Sequence, residues 1–353
     1  MACATLCKSW FNKVMFMIHR FTTWSPVSMA CAAFALAQAS AQAPAAKPTA
    51  TKAAAIAKKY TAPRTPDGQP DLQGIWSNAT ITPLERPDDL AGKPTLTAKE
   101  AAEYEAAVNA RENRDRRDGG NTADVGRAYN EAWYDRGTKV IETRRTSLVI
   151  DPPDGKIPAL SAAAKQRVAD AADRRTRVAE GPEDRTLQER CLSWATAGPP
   201  MLPSAYNNNY QIVQTRDFVA ISNEQIHDVR MIPLDGRPHV PAGVRLWMGD
   251  SRGHWEGDTL VVDTTNFTAK TAFRGSSENM HLTERFTRVA ADTLMYTFTV
   301  DDPSAFAHPW TAQIPSEKID GPIFEYACNE GNYGMVGILS GARDAEKKAA
   351  AGK

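Results

Sequence analysis

From Tyr206 onward the chain alternates apolar and polar positions with a period of two, the signature of half-buried β-strands. YQIVQT, FVAIS, QIHDVRMI, VRLWMG, DTLVVDTTNF, MHLTERFTRV, TLMYTFTVD, WTAQI and IFEYAC are short runs rich in Val, Ile, Thr and aromatic residues. Arg-Asp, Leu-Asp-Gly, Glu-Gly-Asp, Ala-Ala-Asp and Asp-Pro separate them, residues that suit turns through their local hydrogen bonding or backbone freedom. The pattern predicts successive antiparallel hairpins. The expected fold is mainly β (α+β overall), an antiparallel meander closing into a barrel or a strongly curled sheet, because closure removes exposed strand edges.

The first half has a different period. Thr97 and Glu100 make a capping box ahead of an Ala- and Glu-rich stretch, which predicts a helix over about 98–114. A second helix is expected over about 161–180. Both are polar, so they are read as two peripheral N-terminal helices covering the sheet rather than forming a bundle. In DLQGIWSN, Trp76 sits in a strand-like setting near the start of the folded region.

Organisation follows from composition along the chain. Lys8, Lys13 and Arg20 precede a small-residue apolar stretch and Ala39-Ser40-Ala41, so 1–41 is read as a secretory signal peptide. Residues 42–69, dominated by Ala, Pro, Lys and Thr, are expected to be a disordered linker. Residues 70–200 are assigned to an N-terminal strand with helical cover packing on the main domain, 201–342 to the antiparallel β domain, and 343–353 to a disordered tail.

Charge and cysteine content narrow the partners. The 42 basic and 42 acidic residues cancel, which argues against a nucleic-acid binder or a polybasic membrane tether; after signal cleavage no membrane association is expected. Only Cys191 and Cys328 remain in the predicted mature chain, an even pair without metal-ligand spacing. In a periplasmic or secreted setting they are expected to form a disulfide.

Polar residues on otherwise apolar strand faces carry the candidate chemistry, since burying one without a partner costs about 1–3 kcal/mol. In QIHDVRMI, Arg230 shares a face with Ile232, while His227 alternates with Val229 and Met231. In MHLTERFTRV, Glu284 lies between Leu282 and Phe286, with His281, Thr283 and Arg285 opposite. Glu325 shares a face with Ile323 and Ala327, and Glu330 follows in CNEGN. If the sheet curls, His227, Arg230, His281, Glu284, Glu325 and Glu330 are candidate catalytic residues of a central pocket. There a carboxylate would orient an imidazole and an arginine would hold negative charge. The stretch SRGHWEGDTLVVDTTNF is read as a hairpin, with His254 and Glu256 at its tip.

No G-x-S-x-G elbow, H-E-x-x-H, Walker loop or G-x-G-x-x-G is present, and the histidines lack ligand spacing, so no cofactor or metal is expected. Three functions stay open. The chain is an exported small-molecule-binding β domain, with or without His/carboxylate acid-base catalysis on a small organic substrate. It is alternatively a non-catalytic periplasmic ligand-binding or envelope-associated module. The third reading is glycan or protein recognition by surface Tyr, Asn and Trp loops.

PPMLPSAYNNNYQIVQT, IHDVRMIPLDGRPH, GDSRGHWEGDTLVVDTTNF, HLTERFTRV and EYACNEGNYGM resemble a family of functionally uncharacterised secreted proteins from acidobacteria and other soil bacteria. The resemblance covers most of the chain from about Asp71, and implies export without implying a reaction. In that family His often stands where this chain has Asn329. Gly74-Ile75-Trp76 also resembles the G-x-W of lipocalin-like barrels.

Overall fold

A computed structural model describes residues 60–352 except 126, 128 and 272. The expected signal peptide and residues 42–59 of the expected linker lie outside the described residues; its last ten residues, 60–69, are ordered, with Ala62 buried and Arg64 paired with Asp258. In chain order the elements are β1 (Gly74–Ser77), α1 (Ala98–Glu112), α2 (Gly120–Val125), β2 (Val149–Asp151), α3 (Ala162–Thr176), β3 (Asn209–Gln214), β4 (Phe218–Asn223) and β5 (Val229–Pro233). They continue with β6 (Asp250–Glu256), β7 (Thr259–Thr265), β8 (His281–Arg288), β9 (Thr293–Asp301), β10 (Trp310–Ile319) and α4 (Tyr333–Ala351).

The strands form one antiparallel sheet of ten, ordered β5-β4-β3-β1-β10-β9-β8-β7-β6, with β2 also pairing with β10. Each hairpin is a local consequence of its sequence. Between β6 and β7, for instance, Gly257 adopts a positive φ of 61° in the two-residue turn Gly257-Asp258. The long-range element is β1. Its Trp76 is fully buried, donates from Nε1 to the Leu72 carbonyl, and pairs with Tyr210 on β3 and Lys318 on β10. Four residues thereby join two meanders that are far apart in the chain.

The expected closed barrel does not form: β5 and β6 end the strand order and no ladder joins them. The sheet nevertheless bends far. Arg230 and Glu284 lie six strand steps apart, about 29 Å across a flat sheet at normal strand spacing, yet their side chains touch. The free edges meet through side chains, because a Cβ added at Gly253 on β6 would fall 2.7–2.8 Å from Leu234 and Ile232. A gap in hydrogen bonding is thus filled by apolar packing.

The hollow side is filled with side chains. Leu260, Val262, Leu282, Phe286, Leu294, Tyr296, Phe298, Val300, Trp310, Ala312 and Ile314 alternate into it and are buried. Their rings touch in series, Phe286 to Tyr296 at 4.9 Å, Tyr296 to Phe298 at 5.6 Å and Phe298 to Trp310 at 5.6 Å. Burial of such large rings supplies most of the drive for the curled form, on the order of 2–3 kcal/mol for each fully buried side chain.

Four local expectations are corrected. VRLWMG is not a strand, and the adjoining DSRGHWE is one, so His254 lies within β6 rather than at the turn. IFEYAC has no strand structure: Pro322 precedes it, and its Glu325 and Phe324 are exposed. QIHDVRMI begins with a 3-10 turn over Gln225–His227 in which Ile226 has φ 61°, so β5 starts only at Val229. The tail expected over 343–353 is instead largely the second half of α4, whose N-terminus is capped by Asn332. The first helix keeps its capping box, Thr97 N–H donating to Glu100 and Glu100 N–H donating back to Thr97 Oγ1.

Candidate functional site

The six candidates do not converge. Arg230 and Glu284 point into the filled interior, His281 lies on the outer face of the sheet, and Glu325 and Glu330 are exposed in the segment after β10. His227 closes the 3-10 turn, and its side chain is outside the described set. The reason is the pleat. Residues 281 and 284 differ by an odd number on one strand and must face opposite ways.

Inside, Glu284 is completely buried and Arg230 is 6% exposed. Arg230 Nη1 straddles the carboxylate, 2.9 Å from Oε2 and 3.2 Å from Oε1, and only the second contact has hydrogen-bond geometry. Tyr296 donates from its hydroxyl to Glu284 Oε1 at 2.7 Å and accepts from Met201 N–H at 3.1 Å. Burial and the neighbouring carboxylate push the Tyr296 phenol far above its ordinary range, so it stays a donor. Neither of two surface cavities, one beside β9 and β10 and one near Tyr210, is lined by these three residues. The buried trio can brace the curl.

On the outer face the sheet gathers a different set. Asp263 on β7 accepts from two imidazoles, His239 Nε2 at 2.8 Å on Oδ1 and His281 on Oδ2. His239 Nδ1 faces Asp250 Oδ2 at 2.9 Å, and Asp250 also accepts from Val240 N–H and Arg252 Nη1. The His281 hydrogen bond holds the Asp263 carboxyl below its ordinary value, and the same bond raises the His281 imidazole. A carboxylate that orients a half-exposed imidazole can take up or release a proton at the surface. Among the described residues no group of three or more His, Cys, Asp or Glu is placed to hold a metal ion.

The sequence pattern puts His281 opposite Glu284, and Asp263 lies on the face of β7 away from the buried Leu260. The β7–β8 register, Asp263 against Thr283, turns both to one face. The missing partner was His239, in a loop whose LDGRPHVP carries no periodic signal.

A third cluster lies in the loops and was also missed. Trp194 makes edge contacts with Tyr206 at 5.9 Å and Tyr326 at 6.1 Å, and Tyr206 meets Tyr134 at 6.3 Å. The Arg114 and Arg136 guanidinium groups sit 5.1 and 5.3 Å from the Tyr134 ring centre. Burial first, then the Tyr326, Tyr134 and Tyr129 phenols, raise the Tyr206 hydroxyl above its ordinary range, so four phenol groups face one region. Around it Tyr129, Trp133 and Phe324 are 65–68% exposed. Next to Tyr206, Asn207, Asn208 and Asn209 line a small polar nook, where Asn78 Oδ1 is buried without a partner.

The Cys191–Cys328 disulfide, with Cα atoms 5.7 Å apart, pins the Tyr326 segment beside the Trp194 segment. Asn332 reinforces the junction by donating to the Glu189 carbonyl at 2.9 Å. The signal available in the sequence was the aromatic content of YNNNY, CLSW and EYAC; the period-two pattern gives Tyr210 and Tyr326 to separate expected strands and leaves Trp194 unassigned. No helix among the described residues is long and apolar enough to cross a membrane. No protein-family model matches the chain, and no curated protein matches it.

Proposed function

We propose that this domain is an exported, non-catalytic recognition module that binds a carbohydrate chain across the aromatic loop cluster. The observation that carries the reading is the group formed by Tyr134, Trp194, Tyr206 and Tyr326, with Tyr129, Trp133 and Phe324 exposed beside it. Sugar rings present C–H faces that pack on aromatic rings and hydroxyls that need donors and acceptors. Tyrosine and tryptophan with flanking Asn amides supply both. Large exposed aromatic side chains clustered on a globular surface are otherwise unfavourable, which points to a partner.

The disulfide supports the reading in two ways. It holds two aromatic segments in place before binding, which lowers the ordering cost of recognition. It also agrees with a periplasmic or secreted location, as do the proposed signal peptide and the resemblance to exported soil-bacterial proteins. A filled interior supports a surface site over a central catalytic pocket.

The test is native affinity electrophoresis of residues 60–353 in gels containing xyloglucan, glucomannan or laminarin. Retardation by at least one polysaccharide is expected, and Trp133→Ala and Tyr129→Ala, both at exposed positions, should weaken it about fivefold or more. Unretarded migration in all three gels, or retardation indifferent to both substitutions, would sink the proposal.

A further inference from the structure

The outer face of β8–β10 is mostly polar, with one apolar pair in its middle. Thr283, Thr287, Thr297, Thr299, Thr311 and Gln313 occupy it, but Met295 and Pro315 pair directly across β9 and β10. Pro315 sits between the stretches of β10 that pair with β2 and with β1, a position where its missing N–H breaks no ladder. Above this apolar pair, together with Val289, lies a groove of about 220 Å³, with Glu142 and Arg145 at its margin.

Neither charge is matched by an ion pair among the described residues, and both line the same groove. Arg145 is half-buried, and its Nη1 and Nη2 donate to the Gln313 side chain at 2.9 Å and backbone carbonyl at 3.0 Å, which fixes the guanidinium plane. Its Nε is buried with no hydrogen-bond partner, and among the described residues no carboxylate pairs with it. Arg230, the other deeply placed arginine described above, has Glu284. Burial lowers the Arg145 pKa with no acid to offset it. Glu142 is exposed and makes no ion pair or hydrogen bond among the described residues. A desolvated cation without a counter-ion leaves a charge that an incoming anion would neutralise.

We propose that this groove binds a small zwitterion carrying a carboxylate, an amine and a short apolar body, the chemistry of an aliphatic α-amino acid. Arg145 takes the carboxylate, Glu142 takes the ammonium, and Met295, Pro315 and Val289 receive the side chain. The groove is below the usual range for drug-sized ligands but adequate for about nine heavy atoms.

Three isosteric probes separate the contributions: leucine, 4-methylpentanoate without the amine, and 3-methylbutylamine without the carboxylate. Titration calorimetry should show saturable leucine binding, weaker binding of 4-methylpentanoate and the weakest of the amine. Arg145→Gln should reduce leucine affinity at least about tenfold. Glu142→Gln should lower it to the level of 4-methylpentanoate. Because Arg145 also bonds β10, Met295→Trp provides an independent block: it fills the groove while leaving both charges in place and should abolish binding. Thermal unfolding of each variant checks that it remains folded. No saturable leucine binding up to about 10 mM overturns the proposal, as does binding that survives both Arg145→Gln and Met295→Trp. Equal affinity for leucine and 4-methylpentanoate would overturn the zwitterion assignment. None of these variants touches the aromatic loops, so this result and the polysaccharide result stand or fall separately.

Discussion

Glu284 and Asp263 are carboxylates on neighbouring strands, and the pleat sends them to opposite sides of the same sheet. Glu284 is at 0% exposure and is held by Arg230 and Tyr296. Asp263 is 36% exposed and is held by His239 and His281. The contrast teaches how environment divides labour between similar ion pairs. The interior pair is desolvated, so losing one partner alone comes at high cost. The outer relay still exchanges with solvent, gains little from its pairing and responds to pH.

The sharpest way to break this comparison is to strip one partner from the interior pair. Arg230→Met leaves a buried carboxylate with only the Tyr296 hydroxyl, and urea denaturation at neutral pH should report a loss of about 3–5 kcal/mol. Replacing both charges, as Arg230→Met with Glu284→Leu, should cost clearly less than the single change. A single substitution milder than about 1 kcal/mol would mean that the pair is not a structural brace. Next comes Tyr296→Phe, which deletes the donor to Glu284 and the acceptor for Met201 N–H, for an expected loss of about 1–3 kcal/mol.

The outer relay should behave oppositely. The raised His281 pKa contributes stability in full below the ordinary 6.5 and loses it as pH rises through the folded value. The lowered Asp263 pKa contributes in full above the ordinary 3.8 and loses it as pH falls through its folded value. His281→Gln should therefore cost most between those two limits, under about 1 kcal/mol because both groups are more than a third exposed. The difference from the parent protein should shrink on either side. A gap that grows with rising alkalinity would contradict the assignment. Smallest of all, Glu256→Gln removes an exposed partner of Arg285 and His254 and should leave the thermal unfolding midpoint unchanged within measurement error.

Much of the sheet was legible because its evidence is local. TLMYTFTVD alternates without interruption and is β9; Thr97 and Glu100 are three residues apart and cap α1. The split of MHLTERFTRV into a face with Glu284 and a face with His281 also needed only parity. What parity could not tell is which alternating runs find a neighbour. VRLWMG and IFEYAC have strand-like composition but form no strand, VRLWMG making only an isolated bridge from Leu246 to Phe267, whereas DSRGHWE, broken by glycine, gains β7. The error over the site had the same origin. Convergence of the six ionisable residues in one hollow requires every apolar-looking segment to be a strand, yet two of those segments carry no strand at the positions concerned.

By itself the sequence determined the local periods, the capping box, the single available pair of cysteines in the folded region and the face each side chain takes along a strand. These depend on neighbours within a few residues. Tertiary structure alone decided that β1 joins two meanders, that the sheet curls until Arg230 meets Glu284 without closing its ladder, and that His239, Trp194 and Tyr326 join clusters remote in sequence. Those outcomes depend on which surfaces are buried together, and that competition is settled only when the whole chain packs.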